Sequence, residues 1–200
     1  MEAQKLNRRI ERTRQRLRET LFSLIVERGY EKVTVQDILD RAEVGRATFY
    51  EHFRSKEDLL GSGIEQLRAL LLKEWKSASD SGTRPVERLG FTLALFRHVD
   101  SHRQLYKAIV GRESGVIVER KMRRMLADLV REDLKSRKSA GQHTVSIDLA
   151  VQYVVGALWS VLTWWMDYRV PLSPEEMNSI FRQLTFPGLD ATLSGRLLAG

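Results

Sequence analysis

The sequence predicts an all-α fold of about nine helices. Three observations predict it. Apolar residues recur every three or four positions in one segment after another, the period of a helix with one buried face. No stretch alternates apolar and polar residues as a half-buried strand would, and no internal repeat or low-complexity block is present. Capping residues, glycines and prolines gather between those segments. Two hundred residues suffice for one domain, or two small ones, with a real core.

Composition narrows the classes of function. A net charge of +7 and a pI of about 9.9 favour anionic partners without specifying nucleic acid. The absence of cysteine excludes a disulfide framework, thiolate chemistry and Cys-ligated zinc. The opening residues have no apolar signal core, so a cytoplasmic protein is expected.

In chain order, residues 1–12 read as a flexible basic arm. Across residues 1–20, Lys5, Arg8, Arg9, Arg12, Arg14, Arg16 and Arg18 face three acids, and such arms lie along phosphates or enter a minor groove. The first helix is predicted over 13–28, with Leu17, Leu21, Leu24 and Ile25 as its apolar stripe and Gly29 ending it. Thr34 is the expected N-cap of a short second helix, with Asp37 facing the free amides of its first turn. Val35, Ile38, Leu39 and Ala42 give that helix a core-facing side. Glu43, Val44 and Gly45 form a turn, where Gly45 is expected to permit the reversal. Residues 46–53 make a third helix, Phe49 and Phe53 packing inward and Arg46, Ala47, Thr48, Tyr50 and His52 left outward. Ser55, with Asp58 at its third position, caps a long fourth helix over 56–78 through Leu59, Leu60, Ile64, Leu67, Leu71 and Trp75. A shift of that helix is the expected way for the C-terminal part to move the N-terminal part.

Residues 77–85 are rich in Ser, Gly and Pro and read as a loop. Helices are then predicted over 86–99, 104–110 and 116–135, a polar loop over 136–143, and an uncharged helix over 144–168 stopped by Pro171. Ser173, Pro174, Glu175 and Glu176 start a last helix expected to end near 184, broken by Phe186, Pro187 and Gly188. Residues 187–200 are left as a tail.

Two short helices joined by a tight turn, the second presenting Arg, Thr, Tyr and His, is a helix-turn-helix layout. The run Val33-Thr34-Val35-Gln36-Asp37-Ile38, then residues 42–53 (AEVGRATFYEHF), then Ser55-Lys56-Glu57-Asp58-Leu59-Leu60 resembles the DNA-binding domain of TetR/AcrR-family regulators over about residues 14–62. The resemblance implies a three-helix N-terminal head (13–60) joined by a long helix to a helical C-terminal ligand and dimerisation domain (61–186), acting as a sequence-specific DNA-binding regulator, by family habit a repressor. The family commonly has Ser where Gly45 stands, so a weaker cap is expected here. It often has Gly where Glu43 stands, and an acid there is expected to trim affinity for DNA.

The contacts follow from side-chain chemistry and from the resemblance alike. Gly45 is counted among the DNA-binding residues, and Arg46 beside it, at the start of the recognition helix, suits a bidentate bond to guanine O6 and N7. Ala47 and Thr48 suit a thymine methyl, and Thr34, Tyr50, His52 and Lys56 suit phosphate oxygens. The expected partners are a double-stranded DNA operator, a second copy of the chain and an unidentified small-molecule effector, with no membrane, no cofactor and no catalytic site. Dimerisation is assigned to Val151, Val155, Gly156, Leu158, Ser160, Leu162, Thr163 and Trp165 on the uncharged helix and Phe181 on the last. An effector pocket is assigned to Phe91, Phe96, Tyr106, Met122, Met125 and Trp159, where methionines give adaptable walls. His98 and His102 have a zinc-like spacing, but Asp100 and Ser101 read as a helix break, so no metal site is expected. No nucleophile elbow, phosphate loop or HExxH occurs.

Two other readings stay open. Glu43 and Gly45 motivate a protein-interaction adaptor whose head has lost operator specificity. Residues 162–166 and 173–177 also resemble the C-terminal part of a family subset in which some members act as adaptors for a bound protein or metabolite. The uncharged residues 149–166 motivate a membrane-tethered regulator, their length being at the lower limit for a span.

Overall fold

The computed structural model describes residues 2–80, 88–109, 116–136, 145–168 and 170–193. Among these, nine α-helices occur: α1 Glu2–Arg28, α2 Val35–Ala42, α3 Arg46–His52, α4 Lys56–Asp80, α5 Phe91–Ser101, α6 Arg103–Ile109, α7 Val116–Ser136, α8 Ile147–Asp167 and α9 Pro174–Leu193, with a 3-10 turn Tyr30–Lys32 between α1 and α2. The chain divides into two compact units, Met1–Leu67 with Gln104–Lys121, and Arg68–Arg103 with Met122–Gly200.

In the first unit, Leu17, Leu21, Leu24 and Ile25 of α1 are wholly buried, as their spacing predicts. Gly29 ends α1 with φ 82, its N–H bonded to the Ile25 carbonyl at 2.9 Å. Nothing but glycine takes that backbone conformation without strain. α1 begins at Glu2, well before the expected start at Thr13, so the described part of the 1–12 arm is helical. The reason is local. Residues 2–28 contain no Gly or Pro, and the Thr13 hydroxyl bonds back to the Arg9 carbonyl at 3.2 Å rather than capping a helix. Arg18 is buried and reaches Glu11 at 2.6 Å and Gln15 at 2.9 Å, tying the added turns to the predicted ones. The unit also extends past the expected boundary at residue 60. Ile64 and Leu67 are buried, Gly63 lies so close to Phe22 that a built Cβ would be 2.4 Å from the ring, and the Lys121 ammonium lies 3.8 Å from a Cβ built at Gly61.

In the second unit α5 and α8 both pack on α9. Phe96 of α5 meets Trp165 of α8 at 5.8 Å and Phe181 of α9 at 6.3 Å between ring centroids, all three fully buried. Thr92, also buried, donates to Asn178 at 2.7 Å. α5 starts at Phe91, later than predicted, because Leu89 sits buried in a left-handed conformation (φ 52) and its carbonyl accepts from Thr92. α5 then runs through Asp100 and Ser101, so the helix break falls at His102 instead. α4 covers the first residues of the predicted 77–85 loop, the rest of which lies outside the described residues, as does most of the 136–143 loop.

α9 starts as its sequence predicts: Ser173 Oγ accepts from the Glu176 N–H and Glu176 accepts from the Ser173 N–H, at 3.2 and 2.7 Å. It does not stop near 184 but continues through Pro187 to Leu193, so the expected tail is helical at its start. Pro187 forfeits one backbone bond. Burial of Thr185 and Leu189 on either side of it, and Arg182 lying 4.4 Å over the Phe186 ring, favour continuation.

By length and composition α8 could cross a membrane. Its lack of charge has a simpler physical cause: Val151, Val154, Leu158, Leu162 and Trp165 are core residues of the second unit.

Candidate functional site

The site is built on α2 and α3. Thr34 caps α2 in a complete reciprocal box: its Oγ1 accepts from the Asp37 N–H at 3.1 Å, and the Asp37 carboxylate accepts from the Thr34 N–H at 2.8 Å. The Thr34 hydroxyl also donates to Asp37 at 2.6 Å, and Arg28 reaches the same carboxylate at 3.1 Å. These bonds, the Thr34 hydroxyl first, hold the Asp37 carboxyl below its usual range. Thr34 is therefore exposed but already committed to the cap.

The turn corrects the expectation for Gly45. Gly45 is extended (φ −66, ψ 150), a conformation open to any residue, with no atom within 4 Å of a built Cβ. The left-handed residue is Glu43 (φ 50, ψ 46), which ends α2. Glu43 also pairs with Arg16 of α1 at 2.7 Å, which offsets its charge; so exposed a pair contributes little to stability. Gly45 N-caps α3 without a side-chain bond, the weaker cap that the sequence predicts.

α3 is held from behind. Phe49 and Phe53 are buried at 0% and 2% exposure, their ring centroids 6.0 Å apart, and Tyr50 packs edge-on to Phe49 at 5.3 Å. Outward stand Arg46 and Ala47, with Thr48 and His52 half-buried and Tyr50 51% exposed. The structure thus brings Gly45, Arg46, Ala47, Thr48, Tyr50 and His52 onto one short segment. Arg46 does not float: its Nη2 donates to Gln36 Oε1 at 3.0 Å, and Gln36 Nε2 donates to Asp40 at 2.7 Å. Gln36 is not among the residues that the sequence singles out, since nothing in its helical register marks it as adjacent to the next helix.

Lys56 stands apart from that group. Its ammonium donates to the carbonyls of Tyr30 at 3.0 Å and Val33 at 2.7 Å and lies 4.2 Å over the Tyr30 ring. The phenol of Tyr30 in turn donates to Glu57 at 3.2 Å, and burial raises its pKa above the ordinary value. Lys56 is thus a strut between α4 and the chain before α2, where the sequence suggests a free phosphate contact. Lys56→Met is expected to cost about 1.5–3 kcal/mol, the range for hydrogen bonds to a charged group. Urea unfolding checks this; a lysine serving DNA alone would leave the midpoint unmoved. Ser55 accepts from the Asp58 N–H at 3.2 Å, capping α4 as predicted, though Asp58 accepts from the Arg54 N–H rather than from Ser55.

The other two residue sets are redistributed. Phe91, Phe96, Met122, Met125 and Trp159 are buried in the second unit, where Phe91 packs on Trp75 at 5.9 Å and Arg123 lies 4.9 Å over Trp159. Tyr106 belongs to the first unit, so the six do not line one place within a single unit. Of the residues assigned to dimerisation, Val151, Val155, Leu158, Leu162, Trp165 and Phe181 are buried within one chain. They form its own core and present no surface to a second copy. An uncharged helix shows apolar residues on every side, and its sequence does not say which side the chain keeps for itself. Gly156 and Thr163 are half-buried and Ser160 exposed. They share α8 with exposed Tyr153 and Trp164, which the sequence does not mark for contact. His98 and His102 come together after all, their rings stacked at 4.2 Å, and burial together with His102 lowers His98 to about 4. Among the described residues they recruit no third ligand for a metal ion.

Three kinds of comparison bear on this geometry. The family model described as "Bacterial regulatory proteins, tetR family" matches residues 17–62, and that described as "Transcriptional regulator C-terminal region" matches residues 88–186. The HTH-type transcriptional repressor KstR2 of Mycolicibacterium smegmatis is 22% identical over 188 residues, which are 88% of this chain and 90% of that protein. A putative TetR-family transcriptional regulator from Syntrophomonas wolfei superposes with a TM-score of 0.71 at 18% identity, covering 95% of this chain and 99% of its own. The fatty acid degradation regulator FadR from Bacillus halodurans superposes with a TM-score of 0.67 at 22% identity, covering 88% and 96%. At such identities the structural likeness shows the fold.

Proposed function

As the chain belongs to the TetR family of bacterial transcriptional regulators, we propose that it is a cytoplasmic repressor that occupies a specific operator as a homodimer and leaves it when a small molecule binds the C-terminal unit. The observation that carries the operator reading is Arg46: an exposed guanidinium at the first residue of a helix whose other side is anchored by Phe49 and Phe53. Ala47 beside it is small enough to let the helix approach base edges, and Tyr50 and His52 suit the flanking phosphates. The repressor sense is supported by the relative KstR2, itself a transcriptional repressor.

Two copies are needed because a single seven-residue recognition helix reads too few bases. The second unit offers a surface for the purpose. Tyr153, Gly156, Ser160 and Trp164 fall on one side of α8, Tyr153 and Trp164 exposed at 53% and 45%, and nothing lies within 4 Å of a Cβ built at Gly156. On α9, which packs on α8, Ile180 and Leu184 are exposed at 36% and 68%. Exposed apolar residues of this kind suit a protein contact, and a twofold axis would pair them with their own copies. The effector acts if it binds one spacing of the two heads more tightly than the other; without that inequality no population shifts.

The test is a binding titration of the full chain against genomic fragments, followed by base substitution in the retained operator. Submicromolar, sequence-selective binding is expected, and Arg46→Ala is expected to cost about 1–3 kcal/mol at the cognate site and to relax preference at one base pair of each half-site. Weak binding indifferent to sequence would favour the adaptor reading.

A further inference from the structure

Arg46 is exposed and long, and a free arginine of that kind populates many rotamers. Here it is fixed by a chain of two bonds. Gln36, in the first turn of α2, accepts from Arg46 Nη2 at 3.0 Å and donates from Nε2 to the Asp40 carboxylate at 2.7 Å. The two partners dictate which way the amide points, because a carboxylate only accepts and a guanidinium only donates. Asp40 is one helical turn after Gln36, on the same face of α2, so the helix itself aims the amide oxygen at Arg46. The bond occupies one of the five guanidinium N–H groups. Whichever hydrogen of Nη2 it uses, a two-donor edge remains: either Nε with Nη2, or Nη1 with Nη2.

We propose that Gln36 is a specificity-determining residue that acts through Arg46, holding the guanidinium at an angle that presents its free edge to a guanine. This rests on the operator reading given above. Gln36 is then a positioning residue, and Asp40 sets its amide. Ordering the arginine before binding removes an entropic cost that would otherwise weaken the correct contact. It also excludes rotamers in which Arg46 would reach a phosphate or a neighbouring base, which would blur selection.

The experiment uses the full chain and a panel of operators in which each base pair of a half-site is replaced in turn. Wild type and Arg46→Ala identify the pair that Arg46 reads. Gln36→Met, similar in length but without an acceptor, is expected to reduce discrimination at that same pair by about three- to tenfold, with the melting temperature unchanged. Combining Gln36→Met with Arg46→Ala is expected to add nothing to Arg46→Ala alone. Gln36→Glu keeps the acceptor and is expected to retain the base preference while binding all operators more weakly, since it adds an acid near phosphates. The proposal is overturned if Gln36→Met shifts preference at a different base pair, which would make Gln36 itself the reader, or if discrimination stays at the wild-type value. If wild type shows no base preference anywhere in the panel, the operator reading fails first and takes this one with it.

Discussion

If the chain forms the proposed homodimer, Leu184→Glu is expected to convert it to a monomer and to abolish operator binding while leaving each chain folded. Leu184 is 68% exposed, so the isolated chain has no reason to unfold when a carboxylate replaces it. In the proposed twofold contact through α8 and α9 the same carboxylate would enter twice, on a face that carries the exposed apolar residues Ile180, Tyr153 and Trp164. A charge buried without a partner costs about 3–5 kcal/mol. Doubling it is enough to dissociate an interface of ordinary size at micromolar concentration. Sedimentation should then give the mass of one chain with an unchanged helical circular dichroism spectrum. Operator affinity should fall by far more than the loss of one base contact, because half of the recognition surface leaves with the second copy. A dimer that persists at micromolar concentration would place the interface elsewhere and return Leu184 to the ordinary scatter of exposed apolar residues.

That expectation depends on faces that the sequence shows only in part. α8 carries no charge between Asp148 and Asp167, so periodicity cannot separate the side against α5 and α9 from the side left outward. The large apolar residues that look best suited to contact, such as Leu158 and Trp165, are those the chain buries in its own core. The N-terminal head behaves differently. Charged and apolar residues alternate at helical period along α1, α2 and α3, so the stripe of Leu17, Leu21 and Leu24 and the inward pair Phe49 and Phe53 are legible from spacing alone. What stays hidden there are bonds between elements: Lys56 turned onto backbone carbonyls, Glu43 taking the left-handed turn and pairing with Arg16, and Gln36 gripping Arg46. A one-dimensional pattern shows which face a residue occupies but not which atom meets it from a distant segment. Pro187 misleads for a related reason: its penalty is local and visible, whereas the burial of Leu189 that favours a continued helix is tertiary.

Phe49→Ala is expected to lose about 3–5 kcal/mol, the usual cost of emptying a buried aromatic site, and to lose it unevenly. α3 has seven residues and no side-chain cap at Gly45. A helix so short is not stable in water by propensity alone, since helices shorter than about 12–15 residues are marginal even in favourable sequences. Its backbone bonds, such as Phe49 N–H to Gly45 at 3.0 Å and Phe53 N–H to Phe49 at 2.8 Å, persist because the two phenylalanines fix the helix to the rest of the head. Removing the Phe49 ring leaves Phe53 alone to do so and takes away the edge against which Tyr50 packs. Amide exchange should therefore rise to nearly unprotected rates across α3 while α8 and α9 keep their protection, and the proposed association through α8 and α9 should be unaffected. Sequence-selective binding should vanish together with that protection, leaving a residual attraction to DNA that is set by charge and steep in salt. Tyr50→Ala, which removes a half-exposed ring from the same helix, should weaken binding yet leave α3 protected. If Phe49→Ala keeps both its α3 protection and its base preference, the recognition helix is held by something other than its buried face, and the assignment of Arg46 to a rigid platform fails with it.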